Sequence, residues 1–340
     1  MVFAALALSI FLNSGCKKIA GPGAQAEYVL GTYCRIDLFE NGNGELYNRL
    51  FSRLAELDRL LSANRDDSEL AQVNRNAGLE PASVSPELLA VLERSLYFAE
   101  ISGGAFDPTV GPLVKLWGIG TETPRIPPEE EIRVALDLVN WRDLEITRQN
   151  GGTAFLKRRG MALDLGAIAK GYAADELAEI LRKAGIPRAI IDLGGNAYVW
   201  GTKNGGDPWS IGVQDPMQER GNYAGILKLG NSASIVSSGI YERYFTENGR
   251  RWHHIMDLTE AGGRRGYPAE NGLFSTTVIL TSSMDADALS TACFVLGYEK
   301  GLALARANGA EILFIFEDKT IRGSPGALEA FSLTGDYRIP

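Results

Sequence analysis

An acidic residue and a hydroxyl residue four positions apart form the first candidate for chemistry. Asp287 and Thr291 lie in the stretch DADALSTACFVLG, which is predicted to be a helix. Residues four apart share one helix face, so a carboxylate and a hydroxyl would project together, and such oxygens suit Mg²⁺ better than a soft metal. Taken alone, the pair has a simpler structural explanation, because the helix dipole favours an acid in the first turn and the threonine can serve packing.

A second candidate is the segment DLGAIAKGYAADE, residues 164–176, where a strand is predicted to run into a helix. Gly166 and Gly171 permit close backbone approach. Lys170 places a compact cation near the start of the helix, where anions are attracted. A tight turn with a solvated lysine explains the segment equally well.

Two further stretches combine aromatic and polar residues. The loop GGAFDPTVGPLVKLWGIG, around Phe106 and Asp107, is too apolar for a solvated linker, and it suits either a flat ligand or the cap of a core. In RWHHIMD, one of the adjacent residues His253 and His254 should face inward if the run is extended. A core histidine is the commoner outcome, but a histidine beside Asp257 could act as an acid or a base.

The sequence also excludes several classes of site and partner. Its two adjacent histidines are the only ones in the chain, so a zinc site with three histidines is impossible. It has no G-x-x-x-x-G-K-[ST] loop and no well-placed G-x-G-x-x-G, so other residues must hold the phosphates of any nucleotide. A formal net charge of −8 argues against a nucleic-acid partner, which needs a cationic face.

The elements that must position these residues alternate between helix and strand patterns, without an internal repeat. EYVLGTYCRIDLF alternates as a strand does, and AIIDLGG, AYVWG and AEILFIF are further predicted strands. A helix is predicted over SPELLAVLERSLYFAEISGG, with Ser85 as N-cap, Pro86 at its first position and Gly103 beyond its end. An earlier helix is indicated by leucines at helical spacing, namely Leu46, Leu50, Leu54, Leu57 and Leu61.

The length and composition allow one large core or two packed lobes, since 340 residues with 45% apolar side chains can bury extensive surface. Cys34 and Cys293 fall in a predicted strand and a predicted helix. A small buried residue is the simpler interpretation of each, and an isolated pair does not establish a disulfide.

The N-terminus resembles a bacterial lipoprotein signal. The run from Met1 to Leu12 is apolar and too short to span a bilayer, but it suits the core of a signal peptide. Cys16 follows small residues, and KKIAGPGAQ has the composition of a tether. We therefore predict a signal peptide over 1–16 with a lipidated Cys16, a tether over 17–26, and anchoring on the periplasmic side of the bacterial inner membrane.

Seven ordered motifs resemble those of the ApbE family of flavin-processing proteins. They are LLSANRDDSELAQVN, GGAFDPTVGPLVKLWG, DLGAIAKGYAAD, IIDLGGN, SSGIYERYF, HHIMD and DADALSTACFVLG, and the likeness extends from about Tyr28 to the C-terminal strand. The resemblance implies an α+β, T-fold-like architecture over 27–340, with FAD bound between two lobes. It also implies Mg²⁺-dependent cleavage of the FAD pyrophosphate, either by hydrolysis to FMN and AMP or by transfer of FMN to a threonine or serine hydroxyl of a partner protein.

The resemblance further implies roles for individual residues. Asp287 and Thr291 match the metal-ligand helix of the family, and Ala167 matches the small residue whose carbonyl joins them. His254, Asp257 and Asp164 are the candidate catalytic residues and rival bases, with Asp164 also in the phosphate-side motif. The positions matched to FAD binding are Leu61, Asn64, Phe106, Asp107, Lys170, Asp192, Ser237, Ile240 and His254.

Three positions depart from the family pattern. Where the family usually has a tyrosine that lies along the dinucleotide, this chain has Asn64. Stacking on a base contributes about 1–3 kcal/mol, and asparagine is smaller and hydrated, so we hypothesise that FAD hydrolysis is substantial here, alongside or instead of transfer. Ile240 replaces a commonly polar residue, and Leu258 replaces the proline that usually follows the position of Asp257.

The partner of the reaction is expected to be another protein. This chain lacks the short D-x-x-[ST]-G-A-T type of acceptor segment, so any FMN acceptor would be a separate protein, such as a flavinylated membrane redox subunit. Two other functions stay open: a lipid-anchored carrier that binds FAD without catalysis, and a solute-binding lipoprotein of a transporter. A carrier would not need Asp287 and Thr291, so metal dependence separates it from the enzyme.

Overall fold

The computed structural model describes residues 23–259, 261 and 263–340. The predicted signal peptide, the lipidated Cys16 and residues 17–22 of the predicted tether lie outside the described residues. The first strand begins at Gln25, within the segment predicted as a tether, because Gln25 and Ala26 pair with Ile36 and Arg35 of the next strand. Among the described residues, no helix is both long and apolar enough to cross a membrane.

The described residues form eight α-helices. They are α1 (Gly44–Leu61), α2 (Glu69–Arg75), α3 (Pro86–Ile101), α4 (Gly111–Trp117), α5 (Glu129–Leu136), α6 (Ala169–Lys183), α7 (Ser283–Ala307) and α8 (Pro325–Ala330).

The strands of the described residues form four sheets. They are β1 (Gln25–Val29), β2 (Thr32–Leu38), β3 (Ala82–Ser83), β4 (Leu144–Thr147), β5 (Thr153–Leu156), β6 (Arg188–Leu193), β7 (Asn196–Gly201), β8 (Trp209–Gln214), β9 (Tyr223–Leu229), β10 (Ala233–Gly239), β11 (Tyr244–Glu247), β12 (Arg250–His253), β13 (Leu273–Leu280), β14 (Glu311–Phe316), β15 (Ile321–Gly323) and β16 (Phe331–Leu333).

The largest sheet has eight antiparallel strands in the order β1-β2-β6-β7-β10-β13-β14-β15. Alternate residues face opposite sides of a strand. On β10, Val236 therefore packs in the core shared with α1, α3, α6 and α7, while Ile235 packs in a second core with Trp209 and Leu227 of the three-stranded sheet β16-β9-β8. The predicted α+β class is confirmed.

Local sequence patterns explain the first helices. The leucines of α1 that recur at helical spacing are all buried, and the Asn43 side chain caps this helix by accepting a hydrogen bond from the Leu46 N–H. α3 begins at Pro86, and the Ser85 hydroxyl accepts from the Leu88 N–H, as predicted. These elements supply the helical side of the main core.

A third apolar cluster lies apart from the two sheet cores. It is built from α4, α5, β12 and the residues that follow β12, and it buries Trp117 against the rings of Trp252 and Tyr267. The Trp117 indole N–H donates to the carbonyl of Gly266 at 3.0 Å. We call this the α4–α5 cluster.

The two cysteines of the described chain are free and buried, as predicted. Cys34 lies in β2 and Cys293 in α7. Burial raises the pKa of the Cys34 thiol to about 12, and both side chains pack in the main core.

Candidate active site

A cavity of about 360 Å³ lies between the helix-covered sheet and the α4–α5 cluster. Its volume is within the range of small-molecule sites. The start of α6, the first half of α7 and the end of β10 form one wall, while Val110, Ile119 and Leu258 of the α4–α5 cluster lie opposite. The predicted site residues in the wall are Phe106, Asp107, Asp164, Ala167, Lys170, Ser237, His254, Asp287 and Thr291.

The prediction of a strand directly before α6 is wrong. Only an isolated bridge between Val110 and Ala162 forms there, and residues 166–168 are a turn that ends where α6 begins at Ala169. The Asp164 carboxylate accepts the N–H of Gly166 at 2.8 Å. The turn therefore places backbone oxygens and Lys170 at the cavity, as the helix start was predicted to do.

The N-terminal parts of α6 and α7 are in direct backbone contact. A Cβ at Gly171 would overlap the carbonyl oxygen of Ser283, so glycine is required for this approach. The Gly171 N–H donates to Oδ2 of Asp287 at 2.9 Å. Lys170 Nζ lies 3.6 Å from Oδ1 of the same carboxylate and donates to the Gly166 carbonyl at 2.9 Å. The two segments that the sequence singled out thus meet at Asp287.

The hydroxyl of Thr291 belongs to a small polar network. Its Oγ1 lies 3.2 Å from Oγ of Ser238 on β10, and Ser238 Oγ lies 2.7 Å from Oγ of Ser290. The neighbouring Ser237 pairs with Thr277 of β13 at 2.8 Å. Ser238 lines the cavity beside Thr291, yet it was not singled out from the sequence, although it stands next to Ser237 in the motif SSGIYERYF.

The donor atoms fit a hard divalent cation. Asp287 offers a carboxylate that is only 3% exposed and already has the Lys170 ammonium beside Oδ1. Thr291 offers a hydroxyl, and the Ala167 turn lines the same wall. In the described residues, no group of three or more His, Cys, Asp or Glu side chains could hold a metal. A cation here would therefore take one carboxylate, one hydroxyl and a backbone oxygen, a set that suits Mg²⁺ and leaves positions for phosphate and water.

The two histidines have different environments. His253 is 5% exposed, packs edge-on against Phe294, places Nε2 3.0 Å from the Ala269 carbonyl and accepts the Ile255 N–H at Nδ1. Burial lowers its pKa to about 4. One inward-facing histidine was predicted, and His253 is that residue.

His254 lines the cavity. Enclosure by the cavity wall, with a smaller effect of the Arg243 cation, lowers its pKa to about 3, so the ring is neutral at pH 7. Its Nδ1 lies 3.2 Å from the Arg243 carbonyl, which can only accept a hydrogen bond. Nδ1 therefore carries the proton, and Nε2 keeps the lone pair that a base needs.

Asp107 lines the cavity, but both of its carboxylate oxygens accept hydrogen bonds from neighbouring protein groups. Oδ1 accepts from the N–H and hydroxyl of Thr109 at 2.8 and 2.7 Å, and Oδ2 accepts from the Trp141 N–H at 3.1 Å. Burial raises its pKa. Phe106 is buried beside it, edge-on to Phe98. These hydrogen bonds hold the loop in the cavity wall.

Asp257 is not among the residues that line the cavity. Its side chain is fully buried, and Oδ1 accepts the Thr259 N–H at 2.9 Å. Its backbone pairs with Tyr267 and Gly266, and its Oδ2 is buried without a hydrogen-bond partner in the described residues. The role of Asp257 as a base that rivals His254 and Asp164 stays a prediction.

Three predicted FAD-binding positions lie outside the cavity wall. Leu61 is buried in the core at the end of α1, because it continues the apolar face of that helix. Asp192 accepts the Gly195 N–H at 3.0 Å and shapes the turn whose glycines do line the cavity. Ile240 packs against the main core.

Asn64 lies in a second, adjoining cavity. Its side chain is exposed. The two cavities share wall residues, namely Val114, Ile119, Asp164 and Arg243. Asn64 thus faces a space that continues from the first cavity past Asp164.

Several wall residues were missed by sequence reasoning. Arg220 and Arg243 add positive charge to the cavity, and Asn196 contributes a buried amide. Single arginines in loops have no spacing that marks them, so no local signal could have found them. Asn196 is the last residue of the quoted motif IIDLGGN, so comparison of the motifs could have identified it.

Comparisons with known proteins agree with the resemblance found in the sequence. Residues 30–314 match the family model described as "ApbE family". The chain is 40% identical over 323 residues to the FAD:protein FMN transferase of Treponema pallidum (strain Nichols), covering 90% of this chain and 88% of that protein. It is 37% identical over 313 residues to an FAD:protein FMN transferase of Klebsiella pneumoniae (strain 342), covering 92% and 95%.

Solved structures show the same fold. The ApbE protein from Thermotoga maritima superposes with a TM-score of 0.82 at 31% identity, covering 90% of this chain and 98% of that chain. The flavin transferase ApbE from Vibrio cholerae gives a TM-score of 0.78 at 29% identity, with the same coverage.

Proposed function

The chain belongs to the ApbE family, and we propose that it is an enzyme that cleaves the pyrophosphate of FAD with the help of a divalent cation and transfers the FMN half to a partner protein. The observation that carries this proposal is the contact between α6 and α7. It brings Asp287 and Thr291 together with Lys170 and the turn at Ala167 in one cavity wall.

Phosphoryl chemistry asks mainly for positioning and for neutralisation of charge on the phosphate oxygens. Asp287, Thr291 and the carbonyl of Ala167 would hold Mg²⁺, which supplies charge neutralisation when bound. Lys170 lies beside this set and directs an ammonium into the cavity. It would pair with a non-bridging oxygen of the pyrophosphate. Arg220 and Arg243 place two further cations in the same cavity wall, where Glu242 contributes a carboxylate.

The proton that must be removed belongs to the attacking hydroxyl. In transfer, a threonine or serine oxygen of the acceptor forms a bond to the FMN phosphorus, the bond to the bridging oxygen breaks, and AMP leaves. His254 is placed to take the proton, because its Nδ1–H is directed to the Arg243 carbonyl and Nε2 is free to accept. Asp164, which also lines the cavity, is the rival base.

We further propose that FAD extends from the first cavity into the adjoining one, between the helix-covered sheet and the α4–α5 cluster. Asn64 lies on that second space. A small, hydrated side chain there would leave the dinucleotide less tightly packed and admit water, which would then replace the acceptor hydroxyl and give FMN and AMP. Hydrolysis is therefore the second activity that we propose for the same site.

The place of action follows from the N-terminal sequence. Residues 1–16 resemble a lipoprotein signal, so we propose that the protein is anchored through Cys16 on the periplasmic side of the inner membrane. A membrane-associated redox subunit on that side would then be the FMN acceptor. Inhibition by globomycin of signal-peptide processing of the full chain, or loss of that processing in a Cys16→Ala variant, tests the proposed anchoring separately from the activity.

The test of the activity uses the purified chain without residues 1–16. FAD is incubated with Mg²⁺, with EDTA and with an Asp287→Ala variant, and FMN and AMP are separated by chromatography. Metal-dependent release of both products without any acceptor would establish hydrolysis. Transfer is tested by adding a protein that carries the acceptor segment and by following covalent flavin fluorescence. FAD that stays intact but bound under every condition would favour the non-catalytic carrier.

A further inference from the structure

One carboxylate ties the beginning of α7 to α6. Asp175 of α6 accepts the Ser283 N–H at Oδ1 (2.8 Å), and its Oδ2 accepts the Met284 N–H (3.0 Å) and the Ser282 hydroxyl (3.3 Å). The first N–H groups of a helix have no partner inside the helix. Asp175 satisfies two of them from a neighbouring helix.

A second contact between the helices lies one turn away. Gly171 precedes Asp175 by four residues, so both lie on the same face of α6. Gly171 donates its N–H to Asp287, which follows Ser283 by four residues and lies on the corresponding face of α7. Two contacts, each separated by one turn along its helix, fix both the distance between the helices and the rotation of α7 about its axis.

That rotation decides where the cation ligands point. Asp287 and Thr291 belong to α7, while Lys170 and the Ala167 turn belong to the start of α6. Their relative positions therefore depend on the contact between these helices. If the first turn of α7 moves away from α6, the carboxylate of Asp287 shifts with respect to the Ala167 carbonyl.

We propose that Asp175 is a positioning residue of the divalent-cation site, which holds α7 in the rotation that brings Asp287 and Thr291 to the turn at Ala167. This inference rests on the proposed cation-dependent function. A residue that orients metal ligands typically affects metal affinity by 10- to 100-fold. Asp175 acts through the backbone of α7, so we expect about a tenfold effect.

The rival explanation is that Asp175 only stabilises the N-terminus of α7 through its charge. The chain offers a matched control for this explanation. Asp285 lies in the same first turn of α7 but pairs with Arg94 of α3 through two hydrogen bonds of 2.7 Å. Both acids anchor the same helix end, and only Asp175 ties it to α6.

The experiment measures Mn²⁺ binding by electron paramagnetic resonance in the wild-type chain without residues 1–16 and in Asp175→Ala, Asp175→Asn and Asp285→Ala. We expect the Kd for Mn²⁺ to rise about tenfold in Asp175→Ala. Asp175→Asn should show a smaller rise, because the amide keeps one acceptor oxygen. Asp285→Ala should lower the Tm by a comparable amount and leave the Kd within twofold.

A second readout is the metal dependence of FMN release from FAD. Turnover of Asp175→Ala should return toward the wild-type value as Mg²⁺ is raised, because the ligands are present but misplaced. Asp287→Ala, which lacks a ligand, should not recover. If Asp175→Ala does not fold, the same comparison with Asp175→Asn decides.

Two results would overturn the inference, and they differ in meaning. A lower Tm with an unchanged Kd for Mn²⁺ in the Asp175 variants would show that Asp175 is only a stabilising cap, while the proposed function stands. No Mn²⁺ binding by the wild-type chain would remove the cation site itself, and with it the proposed function as well as the role of Asp175.

Discussion

Acid should destabilise this protein through His253, and the size of the effect follows from its burial. The pKa of His253 is lowered from 6.5 to about 4, mainly because burial penalises the charged ring. The folded state therefore binds fewer protons than the unfolded state between these two values. The contribution of His253 to stability is fully present above pH 6.5 and is lost as the pH falls from 6.5 toward 4.

The magnitude comes from proton linkage. At pH 5 the unfolded histidine is almost fully protonated and the folded one is almost fully neutral. Integrating this difference from pH 7 to pH 5 gives a loss of about 2 kcal/mol in the free energy of unfolding for His253 alone. That is a large part of the stability of a typical domain.

The assay is urea unfolding of the wild-type chain and of His253→Gln at pH 7, 6 and 5. Gln keeps an N–H donor that can reach the Ala269 carbonyl but does not titrate, so its loss of stability between pH 7 and 5 should be smaller by about 2 kcal/mol. Carboxylates titrate in both proteins and cancel in the comparison. Equal pH dependence in the two proteins would refute the assignment of His253 as a buried neutral ring.

The remaining predictions concern the cavity. Asp287→Ala should lower FMN release from FAD at least about a hundredfold, because it removes the only carboxylate of the proposed cation site. Loss of a ligand should cost more than loss of a residue that orients ligands. Activity within threefold of wild type would contradict this role of Asp287. Lys170→Met should lower kcat/KM for FAD about 10- to 100-fold through loss of a charge-assisted hydrogen bond. Lys228→Met, at an exposed position of β9 outside both cavities, serves as the control and should have little effect. Asn64→Tyr should reduce release of free FMN, and unchanged release would remove the explanation of hydrolysis. His254 should produce no inflection in kcat/KM near pH 6.5, because its pKa in the free enzyme is about 3; an inflection that disappears in His254→Gln would show that the ring is less enclosed.

Local patterns in the sequence were sufficient for several elements. The leucines of α1 and the cap at Ser85 depend on residues within one or two turns of each other, and both appear as predicted. The shared face of Asp287 and Thr291 follows from helical spacing alone, and both line the cavity. The motif order led to the family, which the comparisons confirm.

Other features needed the tertiary structure. Alternation along β12 indicated that one histidine faces inward, but only packing against Phe294 shows that it is His253. Asp257 belongs to the same motif, and only the structure shows that it is buried and does not line the cavity. Matching to the family placed Leu61 and Ile240 at the ligand, and only the structure shows that Leu61 is buried in the main core and that the half-buried Ile240 packs against it.

The sequence by itself determined α1 and α3, the candidate ligands on α7, the cation at the start of α6 and the family, whereas α4 lies in a stretch that was predicted to be a loop. The tertiary structure decided how these parts meet: Gly171 and Asp287 are 116 residues apart along the chain and are joined by one hydrogen bond. Helical spacing and capping are set by interactions within a few residues, so they can be recognised in a single stretch of sequence. The cavity depends on contacts between distant segments, whose geometry is fixed only when the helices and the sheet pack around a common core.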